Sequence, residues 1–333
     1  MATNRQVVLA SRPKGEVAED NFRLVEAPLA TPGPGEVLVR NEWLSLDPYM
    51  RGRMNDVKSY VPPQKLDEVM VGQTVGDVVE SQDPRFASGD KVLTPLGWQL
   101  YGVARAEDLV KVDASRIPAS CFLGVTGMPG FTAWFGLFEI GQPKPGQTVV
   151  VSAASGAVGS AVGQLARLHG CRAVGIAGGR AKCDYVVNEL GFDACIDYKA
   201  GHLGDDLRAA CPQGVDVCFE NVGGAVLDTV LRQMNRYGRV VVCGLIAEYN
   251  ATEAYGYKSL RSVLVNRLRM QGMIVFDWKD RYPEARSALV DLVAQGRLKY
   301  RESVARGLDS APRAFMGLLK GENLGKQLVQ LSG

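Results

Sequence analysis

The segment Thr148–Gly163 carries a spacing of small residues that suits the binding of a dinucleotide pyrophosphate. Its centre is Ala153-x-x-Gly156-x-x-Gly159, a variant of the G-x-G-x-x-G fingerprint with Ala in the first place. Small residues are required because the turn is tight and its backbone must approach an anion at the N-terminus of a helix. Glycine-rich turns also serve packing alone, so the flanking elements matter. The residues predicted to bind the cofactor here are Gly156, Ala157, Val158 and Gly159.

A strand and a helix flank this motif, as a dinucleotide site requires. Thr148–Val151 is a β-branched run short enough for a strand that is buried on both faces. Val158, Val162 and Leu165 recur on one face of a helix that is predicted to end near His169. This strand–turn–helix context supports the dinucleotide interpretation of the motif.

The chain divides into a β-rich first third and a remainder in which strands and helices alternate. Its 333 residues exceed what one ordinary core accommodates, which favours two domains. Dense Gly and Pro turns in the first third indicate a partly open barrel, with a structured loop at Leu46–Arg53. The alternation that follows predicts a doubly wound parallel sheet. Its later strands are predicted at Ala173–Ala177, Ala194–Tyr198, Val215–Phe219, Arg239–Cys243 and Met273–Phe276.

The residues after the second strand of this sheet indicate which nucleotide is bound. An NAD site usually places Asp or Glu here to accept from the ribose 2′-hydroxyl. Between the end of that strand and Asp184 the chain has no carboxylate, and it supplies Arg180 and Lys182 instead. Because a 2′-phosphate needs cations, the sequence predicts NADP(H). The alternative is a pair of solvated charges at a helix start.

Two further strand ends are candidates for the ligand crevice. Asn221 follows the strand 215–219, and Cys243 ends the next strand. Carboxyl ends of parallel strands meet at one edge, which places both near the nicotinamide half of the cofactor. An ordinary strand-to-helix turn is the alternative for Asn221. Cys243 has no neighbouring His to activate it, so we expect it to line the crevice rather than to act as a nucleophile.

Composition excludes several other classes of function. A net charge of +2 provides no general field for nucleic acid or membrane, and no apolar run approaches the length of a membrane span. Seven cysteines without a C-x-x-C spacing favour reduced thiols and a cytoplasmic location. The only two histidines lie far from any pair of cysteines, so no metal site is expected. Proton chemistry is then left to tyrosines, although packing is their commoner role. The loop tyrosines are Tyr49, Tyr60, Tyr249, Tyr255 and Tyr257.

Several motifs together resemble the zinc-independent medium-chain dehydrogenase/reductases, in the branch of the prostaglandin, 2-alkenal and bacterial curcumin reductases. These motifs span most of the chain. They comprise residues 47–51, 127–133, 149–159, 171–178, 190–193, 221–224, 243–244, 249–252, 268–272 and 317–326. The resemblance implies a GroES-like catalytic domain over residues 1–126, completed by residues 300–333. It also implies a Rossmann dinucleotide-binding domain over residues 127–299 and a homodimer.

The resemblance further implies NADPH-dependent reduction of the carbon–carbon double bond of enones and enals without metal. A quinone reductase on the same scaffold and a non-catalytic NADPH-binding protein are the alternatives. Tyr49 and Tyr249 are the candidates for the group that stabilises the enolate, and their assignment is open because Val265–Arg267 stand where some members carry a tyrosine. The remaining cofactor-binding residues expected are Gly178, Arg180, Lys182, Tyr198, Asn221, Cys243, Tyr249, Ile274, Val275 and Asn323.

Overall fold

A computed structural model describes residues 3–331, which form two compact units, one of residues 3–124 with 302–331 and one of Val125–Arg301. The strands in chain order are β1 (Thr3–Leu9), β2 (Phe22–Pro28), β3 (Glu36–Ser45), β4 (Thr74–Ser81), β5 (Lys91–Thr94), β6 (Tyr101–Arg105), β7 (Val110–Lys111), β8 (Thr148–Ser152), β9 (Arg172–Ala177), β10 (Ala194–Asp197), β11 (Val215–Glu220), β12 (Met234–Val242), β13 (Arg269–Gly272), β14 (Glu302–Arg306) and β15 (Lys326–Gln330). The α-helices are α1 (Tyr49–Arg53), α2 (Met128–Phe135), α3 (Ala157–Leu168), α4 (Arg180–Asn188), α5 (Leu203–Ala210), α6 (Gly224–Leu231), α7 (Arg261–Asn266), α8 (Tyr282–Ala294) and α9 (Ala311–Leu319).

The first unit is a β-domain that the end of the chain completes. Its main sheet has the strand order β14-β15-β3-β4-β5-β7, with β6 also paired to β3. Every pair in this sheet is antiparallel except β14 with β15. An aromatic cluster fills the core, where Trp98 stacks on Phe22 with ring centroids 5.4 Å apart and meets Phe315 of α9 edge-on at 5.7 Å. The predicted GroES-like β-domain is confirmed.

The second unit is a six-stranded parallel sheet with the order β10-β9-β8-β11-β12-β13. The strand β8 is buried along its whole length, as its β-branched sequence predicts. The direction in which strands are added reverses between β8 and β11. The carboxyl ends of those two strands therefore border the crevice in which open α/β sheets bind ligands. The predicted Rossmann fold is confirmed.

Two local predictions were wrong. The last strand of the parallel sheet is β13, and the predicted run Met273–Phe276 instead enters a 3-10 segment at Val275–Arg281. Met273 donates its N–H to Val242 O at 3.0 Å, and its side chain and that of Val275 are buried. A short apolar run is compatible with either a buried strand or a buried turn, so periodicity could not separate them. The predicted loop Leu46–Arg53 contains the helix α1.

Candidate functional site

The turn between β8 and α3 is shaped so that its backbone stands open at the N-terminus of a helix. Ala153 has φ +50°, a left-handed conformation that lets the chain reverse at once after the strand. A Cβ on Gly159 would lie 2.4 Å from the Ala153 carbonyl oxygen, so only glycine fits there. The first N–H groups of α3 have no partner within the helix and are available to an anion. This cradle fits the pyrophosphate of a dinucleotide.

A second group of residues meets at the end of β9. Asp197 ends β10 and accepts hydrogen bonds from Gly179 N at 2.7 Å and from Lys199 N at 3.0 Å. This contact draws the segment after β10 against the turn after β9. A Cβ on Gly178 would lie 2.9 Å from the Tyr198 ring and 3.0 Å from Lys199 Cε, so both side chains lie against Gly178.

The cations at this point are not equivalent, and the sequence did not separate them. Lys182 is half-buried, and its pKa is lowered, chiefly by burial and secondly by the charge of Lys199. Arg180 has a side chain that is 92% exposed and pairs with Asp184 at 3.7 Å, which directs it toward solvent. Two neighbouring ammonium groups that repel each other are stabilised by a shared anion. Lys182 and Lys199 thus fit a 2′-phosphate better than Arg180 does.

Asn221 and Tyr249 come together at the ends of β11 and β12. The side chain of Asn221 donates to Ser152 O at 2.8 Å, which ties the end of β11 to the end of β8. The hydroxyl of Tyr249 accepts from Leu245 N at 3.4 Å. A Cβ on Gly244 would lie 3.3 Å from that hydroxyl and 3.4 Å from Asn221 O. The tyrosine therefore folds back over the strand ends and packs against the turn that holds Asn221.

Cys243 lies at the same strand ends and is half-buried. Burial, followed by the negative charge of Glu220, raises the pKa of its thiol to about 12. The thiolate is the nucleophilic form of cysteine, so this thiol is inert at neutral pH.

The segment that carries Glu248 and Tyr257 is joined to the turn after β11 by hydrogen bonds that the sequence did not reveal. Tyr257 donates its hydroxyl hydrogen to Glu248 Oε1 at 2.6 Å and accepts from Gly224 N at 3.2 Å. Burial and the bond to Glu248 raise the pKa of Tyr257 to about 12. A Cβ on Gly223, which has φ +78°, would lie 2.9 Å from Glu248 Oε1. The glycine pair after Val222 therefore leaves room for the carboxylate, a role that its spacing alone did not indicate.

The remaining predicted residues belong to both units. Ile274 and Val275 follow β13 in the second unit, the first half-buried and the second buried. Asn323 belongs to the first unit, where its side chain donates to Gly325 O at 2.8 Å. Tyr49 also belongs to the first unit, at the start of α1. Burial, followed by the charge of Asp47, raises the pKa of the Tyr49 hydroxyl.

The loop that carries Tyr49 is anchored by a buried ion pair. Lys326 donates to Asp47 Oδ1 at 2.7 Å and to Leu46 O at 2.6 Å, and Ser45 donates to the other carboxylate oxygen of Asp47. Lys326 and Asp47 are both at least nine-tenths buried, so removing either partner would leave an unpaired buried charge. The last strand of the chain thereby holds Tyr49 in place.

Between residues 3 and 331, no group of three or more His, Cys, Asp or Glu side chains could hold a metal ion. None of the helices in that range is long and apolar enough to cross a membrane. All seven cysteines are free thiols.

Family models match both parts of the chain. Residues 5–112 match the family described as the N-terminal domain of oxidoreductase, and residues 157–292 match the family described as zinc-binding dehydrogenase. The second description names zinc, which is notable beside the absence of a metal-binding cluster in residues 3–331.

Similar proteins cover the chain almost end to end. The NADPH-dependent curcumin reductase of Escherichia coli is 49% identical over 99% of this chain and 97% of its own length. The NADP⁺-dependent 2-alkenal reductase of Nicotiana tabacum is 41% identical over 99% of this chain and 98% of its own. The crystal structure of CurA from Vibrio vulnificus in complex with NADPH has a TM-score of 0.94 at 48% identity, covering 99% of both chains. The quinone oxidoreductase of Escherichia coli complexed with NADPH, at 21% identity and a TM-score of 0.79, shares the fold alone.

Proposed function

Because the chain belongs to the zinc-independent medium-chain dehydrogenase/reductases, in the branch of the curcumin, 2-alkenal and prostaglandin reductases, we propose that it reduces the carbon–carbon double bond of α,β-unsaturated ketones and aldehydes with NADPH. The observation that carries the choice of cofactor is the pair of interacting ammonium groups of Lys182 and Lys199, of which Lys199 lies against Gly178. A 2′-phosphate distinguishes NADPH from NADH, and only NADPH would gain from this pair.

The proposed cofactor site follows the crevice of the second unit. The turn and helix start at Gly156–Gly159 would hold the pyrophosphate, and Asn221, Cys243 and Tyr249 would line the nicotinamide half. Tyr198 would lie beside the 2′-phosphate, because its ring lies against Gly178. Arg180, Ile274 and Val275 are further expected contacts, and the resemblance adds Asn323. For Arg180 the exposure of its side chain supports no more than a minor contribution.

We propose that residues 127–299 bind the dinucleotide and that residues 1–126, with 300–333, form the catalytic domain. Bound NADPH supplies the hydride for the β-carbon of the substrate. The chain must then stabilise the charge that develops on the carbonyl oxygen, and a donor that is placed in advance does so without reorganisation. Tyr49 is the candidate for this role because it is a neutral hydroxyl donor held in a loop that the buried Lys326–Asp47 pair anchors, and burial raises its pKa further. Loss of one such donor costs about 3 kcal/mol of barrier, or about a hundredfold in rate.

Tyr249 suits a different role. Its hydroxyl accepts from Leu245 N and lies 3.3 Å from a Cβ built on Gly244, which holds the side chain over the strand ends, and we propose that it packs against the cofactor. The proton that completes the reaction at the α-carbon would come from tyrosine or solvent.

The experiment that tests the function is NADPH consumption with a panel of enals, enones and quinones, together with product identification. Saturated ketones or aldehydes from the enones and enals are expected, with little turnover of simple quinones. Preferential quinone reduction would support the quinone reductase, whose solved example shares only the fold with this chain. NADPH binding without turnover of any compound would support a non-catalytic role.

We further propose a cytoplasmic homodimer. Seven free thiols are compatible with a reducing compartment. The strand β13 lies at one edge of the parallel sheet, and the adjacent helix α7 exposes Leu264 at 78% and Val265 at 51%. An unpaired edge beside exposed apolar side chains is a suitable surface for a second copy of the chain about a two-fold axis.

A further inference from the structure

Glu220 is a buried carboxyl group at the end of β11, directly before the turn Asn221–Gly224. Its relative exposure is 0%, although acidic side chains are rarely buried completely. One of its oxygens, Oε1, accepts three hydrogen bonds: from Ser152 Oγ at 2.7 Å, from Gly223 N at 2.8 Å and from Val222 N. These bonds join the end of β8 to two consecutive N–H groups of the turn.

The turn that these bonds hold has an unusual conformation. Gly223 and Gly224 have φ values of +78° and +54°, which side chains rarely permit. Asn221 at the start of the turn donates its own N–H to Ser152 Oγ at 2.8 Å and its side-chain amide to Ser152 O at 2.8 Å. Ser152 therefore fixes Asn221 at the start of the turn, and Glu220 fixes Gly223 within it. Two glycines in succession leave the backbone free to move unless such contacts hold it.

We propose that Glu220 is a positioning residue whose Oε1 atom holds the Asn221–Gly224 turn in the conformation that receives NADPH. The inference rests on the proposed cofactor site at Asn221. What matters is the place of one acceptor oxygen, and the negative charge of the carboxylate is secondary. The second oxygen has Cys218 Sγ as its partner, at 3.8 Å, and a sulfur accepts a hydrogen bond as well as donating one.

Two substitutions separate the place of the oxygen from its charge. Glu220→Gln keeps an oxygen at Oε1 and removes the charge, and its amide can donate to Cys218 Sγ. Glu220→Asp keeps the charge and withdraws the oxygen by one methylene, about 1.5 Å. We expect Glu220→Gln to bind NADPH within about threefold of the wild-type Kd. We expect Glu220→Asp to bind it about tenfold to a hundredfold more weakly, because a displacement of this size is enough to misplace a contacting group.

A matched control exists on the same strand pair. Asp216, near the other end of β11, accepts from Thr148 N at 2.9 Å and from Asn235 Nδ2 at 2.9 Å, and so also joins β11 to β8. Asp216→Glu displaces this acceptor by one methylene far from the turn. It should lower the melting temperature while leaving the Kd for NADPH unchanged, which separates positioning from general stability.

The Kd is measured by NADPH fluorescence titration of the full chain without enone, alongside thermal melting and the pH profile of binding. Wild-type affinity in Glu220→Asp, or stronger binding by Glu220→Asp than by Glu220→Gln, would overturn the inference. If Glu220→Asp does not fold, Ser152→Ala provides the same test, because it removes the group that joins Glu220 to Asn221. Weaker NADPH binding by Ser152→Ala supports the inference and wild-type binding overturns it. A chain that binds NADPH as expected but reduces no enone would refute the proposed function and leave this inference standing.

Discussion

The selectivity for NADPH gives the sharpest test, because the structure ranks Arg180 and Lys182, which the sequence leaves equal, and adds Lys199, which the sequence did not indicate. Lys182 is half-buried and feels the charge of Lys199, whereas the side chain of Arg180 is 92% exposed and paired with Asp184. A hydrogen bond from a charged group to a phosphate contributes about 2 kcal/mol, which corresponds to about thirtyfold in affinity. An exposed ion pair contributes about 0–1 kcal/mol, or at most about fivefold.

We therefore expect Lys182→Ala to raise the KM for NADPH about thirtyfold and Arg180→Ala to raise it by less than about fivefold. The increase in the KM for NADPH in Lys199→Ala should be closer to that in Lys182→Ala than to that in Arg180→Ala. The KM for NADH should stay unchanged in all three variants, because NADH has no 2′-phosphate. The kcat with NADPH should also stay unchanged, since the phosphate lies far from the transferred hydride.

The assay is steady-state kinetics with NADPH and NADH on one good enone, with Arg180→Ala as the matched control. An unchanged ratio of kcat/KM with NADPH to kcat/KM with NADH in Lys182→Ala would refute the assignment of Lys182 to the 2′-phosphate. A larger loss in Arg180→Ala than in Lys182→Ala would show that Arg180 turns toward the phosphate on binding. The pH dependence gives a second check, because the pKa of Lys182 is lowered by burial and by Lys199. Its protonated form binds the phosphate, so NADPH affinity should decline with rising pH earlier than the ordinary pKa of lysine would require.

Four further predictions follow from the site and its surroundings. Tyr49→Phe should lower kcat about tenfold to a thousandfold with NADPH affinity nearly intact, and a wild-type kcat in this variant would leave the carbonyl oxygen to other donors. Tyr249→Phe should leave kcat almost unchanged, and Tyr249→Ala should weaken NADPH binding. Activity should survive prolonged phenanthroline treatment with well under one zinc per chain by elemental analysis, and stoichiometric zinc would contradict this. Light scattering should give a dimer mass that Leu264→Glu reduces to that of a monomer, and a monomeric wild type at micromolar concentration would refute the interface. Iodoacetamide should leave Cys243 unmodified at pH 8 and alkylate it faster as the pH rises toward its pKa of about 12, so rapid labelling at pH 8 would show that the thiol is not protected.

The sequence was sufficient wherever a local pattern has one physical solution. The buried strand, the tight turn and the apolar helix face around Gly156 could be predicted because each depends on residues within a few positions of one another. The strands predicted at Ala173–Ala177 and Val215–Phe219 were also placed to within one residue of β9 and β11. The absence of an acidic residue between Ala177 and Asp184 favoured NADP(H) without any knowledge of the fold.

Tertiary structure decided everything that depends on residues from different strands. Lys199 joins Lys182 because β10 lies beside β9, and no local pattern near Lys199 signals this. Glu220 became buried and bonded because β8 and β11 are neighbours in the sheet, although 68 positions separate Ser152 from Glu220. Arg180 and Lys182 have the same charge and nearly the same place in the chain, but a helix directs one side chain to solvent and the other inward. Spacing along a chain determines which residues share a face of one element, whereas the packing of elements determines which faces meet.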